Sequence, residues 1–227
     1  MRPPARACGS RLLAEALAGL VTLLGMLAGA PAPAATLVVT VQAPDGHALP
    51  GAVVTARPLD APAHKPVPVQ AVMDQINRAF VPDLLVIPVG STVTFPNSDS
   101  VSHQIYSFSR AKRFQLPLYH GTPYPPVHFD QAGVVTLGCN IHDEMLAYLL
   151  VTEAPYYGRT DASGTWSAEV PRGRYQISIW HPRVRDEAAD LERELTVRDT
   201  DRAELTIRLA KALQPAPRTD RPHSWDY

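Results

Sequence analysis

Beyond residue 35 the apolar residues fall in short runs that alternate with polar ones and are cut by Gly, Pro and Asp. That is the period of half-buried strands rather than of helices. Residues 36–41 alternate and are β-branched, Pro44-Asp45-Gly46 is a turn, and residues 52–56 form a second strand. Residues 58–68 carry four prolines and read as a linker or loop.

A second block of strands follows. Residues 71–75 and 84–88 are apolar, with Phe80-Val81-Pro82 between them. Val89-Gly90-Ser91 is a turn before a strand at 92–95, and residues 103–108 alternate. Residues 111–126, rich in Pro, Tyr and Gly, predict an irregular loop. Strands at 127–129, 133–138 and 147–151 complete this block.

The third block opens near Pro155. Residues 160–164 and Pro171-Arg172-Gly173 are turns around a strand at 166–170, and residues 175–180 alternate cleanly. Residues 186–194 are charged and predict a short helix or an exposed loop. The runs 195–197 and 205–209 are expected to pair with each other around Asp199-Thr200-Asp201. The Pro-rich polar end, residues 211–227, predicts a disordered tail. The expected fold class is all-β: a Greek-key β-sandwich plus a second small β-sandwich.

The first 35 residues stand apart. Arg2, Arg6 and Arg11 precede an apolar stretch over 12–27, and Ala30-Pro31-Ala32-Pro33-Ala34-Ala35 suits signal peptidase. This reads as a secretory signal peptide cut near Ala34 or Ala35. Its core, 17–30, is shorter than the roughly 20 residues of a spanning helix. No later segment is apolar enough to insert stably in a membrane, and a periplasmic location is expected.

Removing Arg2, Arg6, Arg11 and Glu15 leaves 18 basic and 21 acidic residues, a formal charge of about −3. That gives no basic footprint for nucleic acid. Cys139 is then the only cysteine. In an oxidising compartment a bare thiol is a liability that metal coordination removes.

Cys139, His142 and Met145 stand at Cys-x2-His-x2-Met spacing directly after the strand at 133–138. Thiolate, imidazole and thioether on one short loop are the soft, mixed donors that copper favours. A trigonal two-His, one-Cys site needs one more imidazole, and His103 is the candidate. Asn97 is placed to hydrogen-bond across to the ligand loop. His120 and His128 flank the Tyr/Pro loop and read as solvated. His181 is expected to pack in the third block, and His47, His64 and His223 fall in loops or the tail.

The stretch Val86-Ile87-Pro88-Val89-Gly90-Ser91-Thr92-Val93-Thr94-Phe95-Pro96-Asn97, then His103, then Gly138 to Met145, resembles a cupredoxin of the plastocyanin and amicyanin type. With Tyr106-Ser107-Phe108-Ser109, Leu118-Tyr119 and Trp180-His181-Pro182, it is similar to the plastocyanin-like proteins labelled methylamine utilization proteins. The cupredoxin resemblance covers residues 68–152. It implies one type 1 copper held by His103, Cys139, His142 and Met145. Asp143 and Glu144 depart from it, since amicyanin-type loops carry apolar or proline residues there.

The string from Val39 through Pro44-Asp45-Gly46 to Val54 resembles the opening of a carboxypeptidase regulatory-like β-sandwich. Thr160-Asp161, Gly164, Trp166, Pro171, Gly173, Tyr175 and Ile177 resemble its continuation. Residues 36–60 and 153–210 are therefore expected to form one sandwich interrupted by the cupredoxin. The alternative is a continuous N-terminal cupredoxin followed by a C-terminal sandwich.

These features imply an exported one-electron carrier that serves a redox partner protein. The alternatives are a copper carrier or chaperone without redox turnover, and a structural binding module. Enzymatic activity is not expected: no Ser-His-Asp arrangement, phosphate loop or second copper site is visible.

Overall fold

A computed structural model describes residues 34–60, 65–198 and 202–215. The expected signal peptide lies outside these residues except for Ala34 and Ala35, which open the first strand. Among the described residues there is no α-helix, and no helix is long and apolar enough to cross a membrane. The chain is all-β.

The outer block begins with β1 (Ala34–Gln42) and β2 (Val53–Pro58). The middle block holds β3 (Gln70–Val72), β4 (Asp74–Ile76), β5 (Ala79–Val81), β6 (Leu84–Pro88) and β7 (Ser91–Thr94). It continues with β8 (His103–Ser107), β9 (Phe114–Tyr119), β10 (Val127–Phe129), β11 (Gly133–Gly138) and β12 (Leu146–Thr152). The outer block resumes with β13 (Tyr156–Arg159), β14 (Thr165–Pro171), β15 (Gly173–Trp180), β16 (Glu192–Val197) and β17 (Arg202–Arg208).

In the outer block β1 lies between β14, antiparallel, and β17, parallel. The other sheet runs β13-β2-β15-β16. Leu37, Val39 and Val41 of β1 pack with Val54 and Ala56 of β2 and Tyr175 and Ile177 of β15 in one core. Burying each large apolar side chain contributes about 1.5–3 kcal/mol. The turns are locally encoded. Asp161 Oδ1 accepts from the backbone N–H groups of Ser163 and Thr165, and Gly164 takes φ +73°, where a Cβ would be unfavourable.

The middle block leaves the outer one after β2 and returns at β13. These two strands are antiparallel neighbours, with Val53 opposite Arg159, so its ends lie side by side. A surface insertion between adjacent strands is physically easy for that reason. Its sheets run β10-β7-β3 and β6-β12-β11-β8-β9. Val93 and Phe129 from the first sheet pack with Ile87, Ile105, Leu137 and Leu149 from the second. The blocks meet at an apolar seam in which Val53 of β2 packs with Leu84 and Leu150. The rings of Tyr148 and Trp180 cross it at 5.3 Å.

Three expectations are corrected. Residues 111–126 are not one irregular loop, because β9 runs through them. Leu116 and Tyr119 turn inward, and Pro117 is tolerated because β9 is the sheet edge. The runs 195–197 and 205–209 do not pair with each other. β16 joins β15 and β17 joins β1, each sending its own apolar stripe into the core, Val197 from one sheet and Ile207 from the other. Residues 211–215 are placed, with Gln214 and Arg183 bonded through Gln214 N–H to Arg183 O (2.8 Å) and Arg183 Nε to Gln214 O (2.6 Å). Residues 216–227 lie outside the described residues.

Candidate metal centre

The pair β11–β12 is closed at Gly138 opposite Leu146, so residues 139–145 form the loop between them. Cys139 leaves β11 almost fully buried and Met145 enters β12 equally so, both in the middle core. The Met145 N–H donates to the His142 carbonyl at 3.0 Å. That turn lifts His142 to the tip, where its ring is half-buried while Ile141 beside it is exposed.

His103 arrives from another strand. It opens β8, whose buried positions alternate as His103, Ile105 and Ser107. An irregularity in the β8–β9 pairing falls between His103 and Ile105. The His103 side chain is wholly buried.

Nδ1 of His103 lies 3.0 Å from Nδ1 of His142. Cys139 Sγ lies 3.9 Å from the first nitrogen and 3.7 Å from the second. All three donors fall within 4.8 Å of one another. Such separations suit a single ion bonded at about 2.0–2.1 Å to nitrogen and about 2.3 Å to sulfur. Two imidazoles and a thiol make a borderline-to-soft donor set, which fits copper or zinc and disfavours magnesium or calcium. His103, Cys139 and His142 thus form a group able to hold a metal ion. Met145 ends the same loop, its side chain buried in the middle core with that of Cys139.

Sequence reasoning missed Asp99. Its Oδ2 lies 2.9 Å from His103 Nε2, and its side chain is 7% exposed. The backbone N–H of Arg78 donates to that oxygen at 2.6 Å, and the N–H of Ser100 donates to Oδ1 at 2.7 Å. The Arg78 N–H and then the His103 ring hold the carboxyl down at about 2, against the opposing effect of burial. The available signal was a carboxylate four residues before a candidate ligand histidine.

Asn97 is corrected. It reaches not the ligand loop but its own turn and the end of β9: Nδ2 donates to the Val101 and Tyr119 carbonyls, and Oδ1 accepts from the Asp99 N–H. It therefore shapes the turn that presents Asp99. Tyr119 braces the same region by donating to Phe95 O at 2.6 Å, and burial pushes its phenol up to about 12. His120 is exposed and bonds the Asp99 carbonyl at 2.9 Å, and His128 lies exposed on β10. His181 sits in a cleft of about 400 Å³ between the blocks. His64 and His223 lie outside the described residues.

No protein-family model matches the chain, and no curated protein matches it in sequence. Solved structures do. A purple cupredoxin from Nitrosopumilus maritimus is 28% identical over 36% of this chain and 99% of its own, at a TM-score of 0.33. A copper-containing nitrite reductase from Thermus scotoductus is 29% identical over 43% of this chain, at a TM-score of 0.34, and this chain spans 25% of its length. A reduced amicyanin variant is 20% identical over 43% of this chain and 99% of its own, at a TM-score of 0.34. The solved structures to which part of this chain is similar are cupredoxins.

Proposed function

We propose that this chain is an exported mononuclear copper protein that carries single electrons between partner proteins, and that it is not itself an enzyme. The observation that carries the reading is the convergence of His103 Nδ1, His142 Nδ1 and Cys139 Sγ within 4.8 Å, from two separate segments of one β-sandwich. The N-terminal signal pattern and the single cysteine of the remaining chain support export and coordination.

His103, Cys139 and His142 are the ligands in this reading, with Met145 as the fourth. Copper bound there would supply a one-electron Cu(II)/Cu(I) couple. The protein's part is to hold the donors on strand ends so that neither oxidation state can draw them into its own preferred geometry. Burial of His103, Cys139 and Met145 keeps water from three of the four. His142, half-buried at the loop tip, is the ligand nearest solvent and the exit for the electron toward a redox partner. The outer sandwich serves as a rigid scaffold through its apolar seam.

The test is titration of the purified chain, without residues 1–35, with Cu(II) under visible absorption. One copper per chain with an intense thiolate charge-transfer band, lost on reduction and in Cys139→Ser, is expected. Tight binding without that band would replace electron transfer with copper carriage. No binding would remove the metal reading.

A further inference from the structure

We infer that Asp99 is a positioning residue for the metal centre: its carboxylate locks the His103 imidazole with Nδ1 bare toward Cys139 and His142, and its charge favours the more oxidised metal. This rests on the copper reading above.

The geometry begins at His103 Nε2, 2.9 Å from Asp99 Oδ2. An ionised carboxylate only accepts hydrogen bonds, so Nε2 carries the hydrogen. A neutral imidazole has one ring hydrogen, which leaves the Nδ1 lone pair facing the other two donors. The His103 side chain is fully buried and that of Asp99 is 7% exposed, so the hydrogen bond is made out of easy reach of solvent on the His103 side.

Asp99 is itself held from three directions. The Arg78 N–H that binds Oδ2 lies at the tip of the β4–β5 hairpin, where Asn77 and Arg78 take φ +52° and +57°. Two successive positive φ angles belong to the tight hairpin turn, and this turn aims a backbone donor at the carboxylate. The Ser100 N–H binds Oδ1, and Asn97 Oδ1 binds the Asp99 N–H. A loop built only to close itself would not need a hairpin tip and a ligand ring on one carboxylate oxygen. Such carboxylate–histidine pairs orient metal ligands and raise their basicity.

Two variants separate position from charge. Asp99→Asn keeps an acceptor oxygen and removes the charge; Asp99→Ala removes both. In Asp99→Asn the preference for Cu(II) over Cu(I) should fall about tenfold, raising the potential by about 59 mV for one electron. In Asp99→Ala copper affinity should fall roughly 10–100-fold.

The metal-free protein gives an independent readout. Imidazole nitrogen NMR should show His103 as the single Nε2–H tautomer in the parent chain and Asp99→Asn, and a mixture in Asp99→Ala. An Nδ1–H tautomer in the parent chain would overturn the inference even if no variant folds. So would unchanged potential, affinity and tautomer in both variants of a chain that binds copper, leaving Asp99 as a loop anchor. Absence of the thiolate band in the parent chain would instead overturn the copper reading, and the NMR result would still decide the positioning.

Discussion

Nδ1 of His103 lies 3.0 Å from Nδ1 of His142 although 39 residues separate them. The contact is made by a strand start and a loop tip, and the two rings are unequally embedded. His103 is fully buried and bonded to Asp99, whereas His142 is half-buried at the rim.

That asymmetry predicts different costs for removing each ring from the metal-free protein. His103→Ala leaves the Asp99 carboxylate covered and short of a donor, and should destabilise by about 1–3 kcal/mol. His142→Ala removes a half-buried ring that rests on His103 and should cost less, about 0.5–1 kcal/mol. Urea unfolding of both, without metal, checks this. Equal losses would contradict the assigned burial.

Gly138 sets a second test beside the thiol. A Cβ there would lie 2.8 Å from Tyr106 Cζ and Oη, and Gly138 is directly bonded to Cys139. Gly138→Ala should cost about 1–3 kcal/mol through overpacking. Adding Tyr106→Ala removes the opposing ring, so the double variant should recover at least about 0.5 kcal/mol over additivity. A double-mutant cycle by chemical unfolding measures it. Strict additivity would mean the strand moves aside instead of meeting the ring.

The strands and tight turns were legible because their causes are local. Alternation gives Val39 and Val41 one face, and Asp161 with Gly164 encodes its own turn. Cys139, His142 and Met145 were legible as a spacing on one loop. Partner choice was not. Leu195 and Leu205 look alike in sequence, yet their strands join different sheets, because β16 folds back on the strand before it while β17 pairs with β1 from the far end of the chain. β9 was hidden by Pro117, which only an edge position permits. Asp99 was hidden because its role depends on the Arg78 hairpin tip, brought to it from 21 residues away.

The seam between the blocks predicts coupled unfolding. Val53 belongs to the outer sandwich but is fully buried against Leu84 and Leu150 of the middle one. Val53→Asp would put a carboxylate among Leu84 and Leu150, with Arg159 opposite on the ladder, and should still cost roughly 2–4 kcal/mol. Residues 70–152 hold no tryptophan, and among the described residues Trp166 lies in the outer core and Trp180 at the seam, so tryptophan fluorescence follows the outer block and its seam. In the parent chain fluorescence and the thiolate–copper band should be lost together on heating. In the variant the two transitions should separate. Separate transitions in the parent chain would show that the seam does not couple the blocks.

His181 gives the chain a pH dependence of its own, apart from the metal ligands. It lines the cleft between the blocks with Asp83, Tyr148, Arg159 and Arg183. Its Nδ1 accepts from the Arg183 N–H at 3.2 Å, which requires a bare nitrogen. Burial first, then the positive charges of Arg183 and Arg159, push its pKa down to about 4, against a weaker opposing pull from Asp83. In the unfolded chain the ring protonates near 6.5. Between about pH 6.5 and 4 the unfolded state therefore binds more protons, and stability falls as the pH drops through that window. Above about pH 6.5 the ring is neutral in both states and contributes no slope. The full shift corresponds to about 3 kcal/mol, which partial exposure reduces to about 1–2 kcal/mol. His181→Gln does not titrate, so its stability relative to the parent chain should rise by that amount between pH 7.5 and 4.5. Urea midpoints at both pH values measure the difference. A constant difference across the range would mean that His181 is solvated and titrates alike in both states.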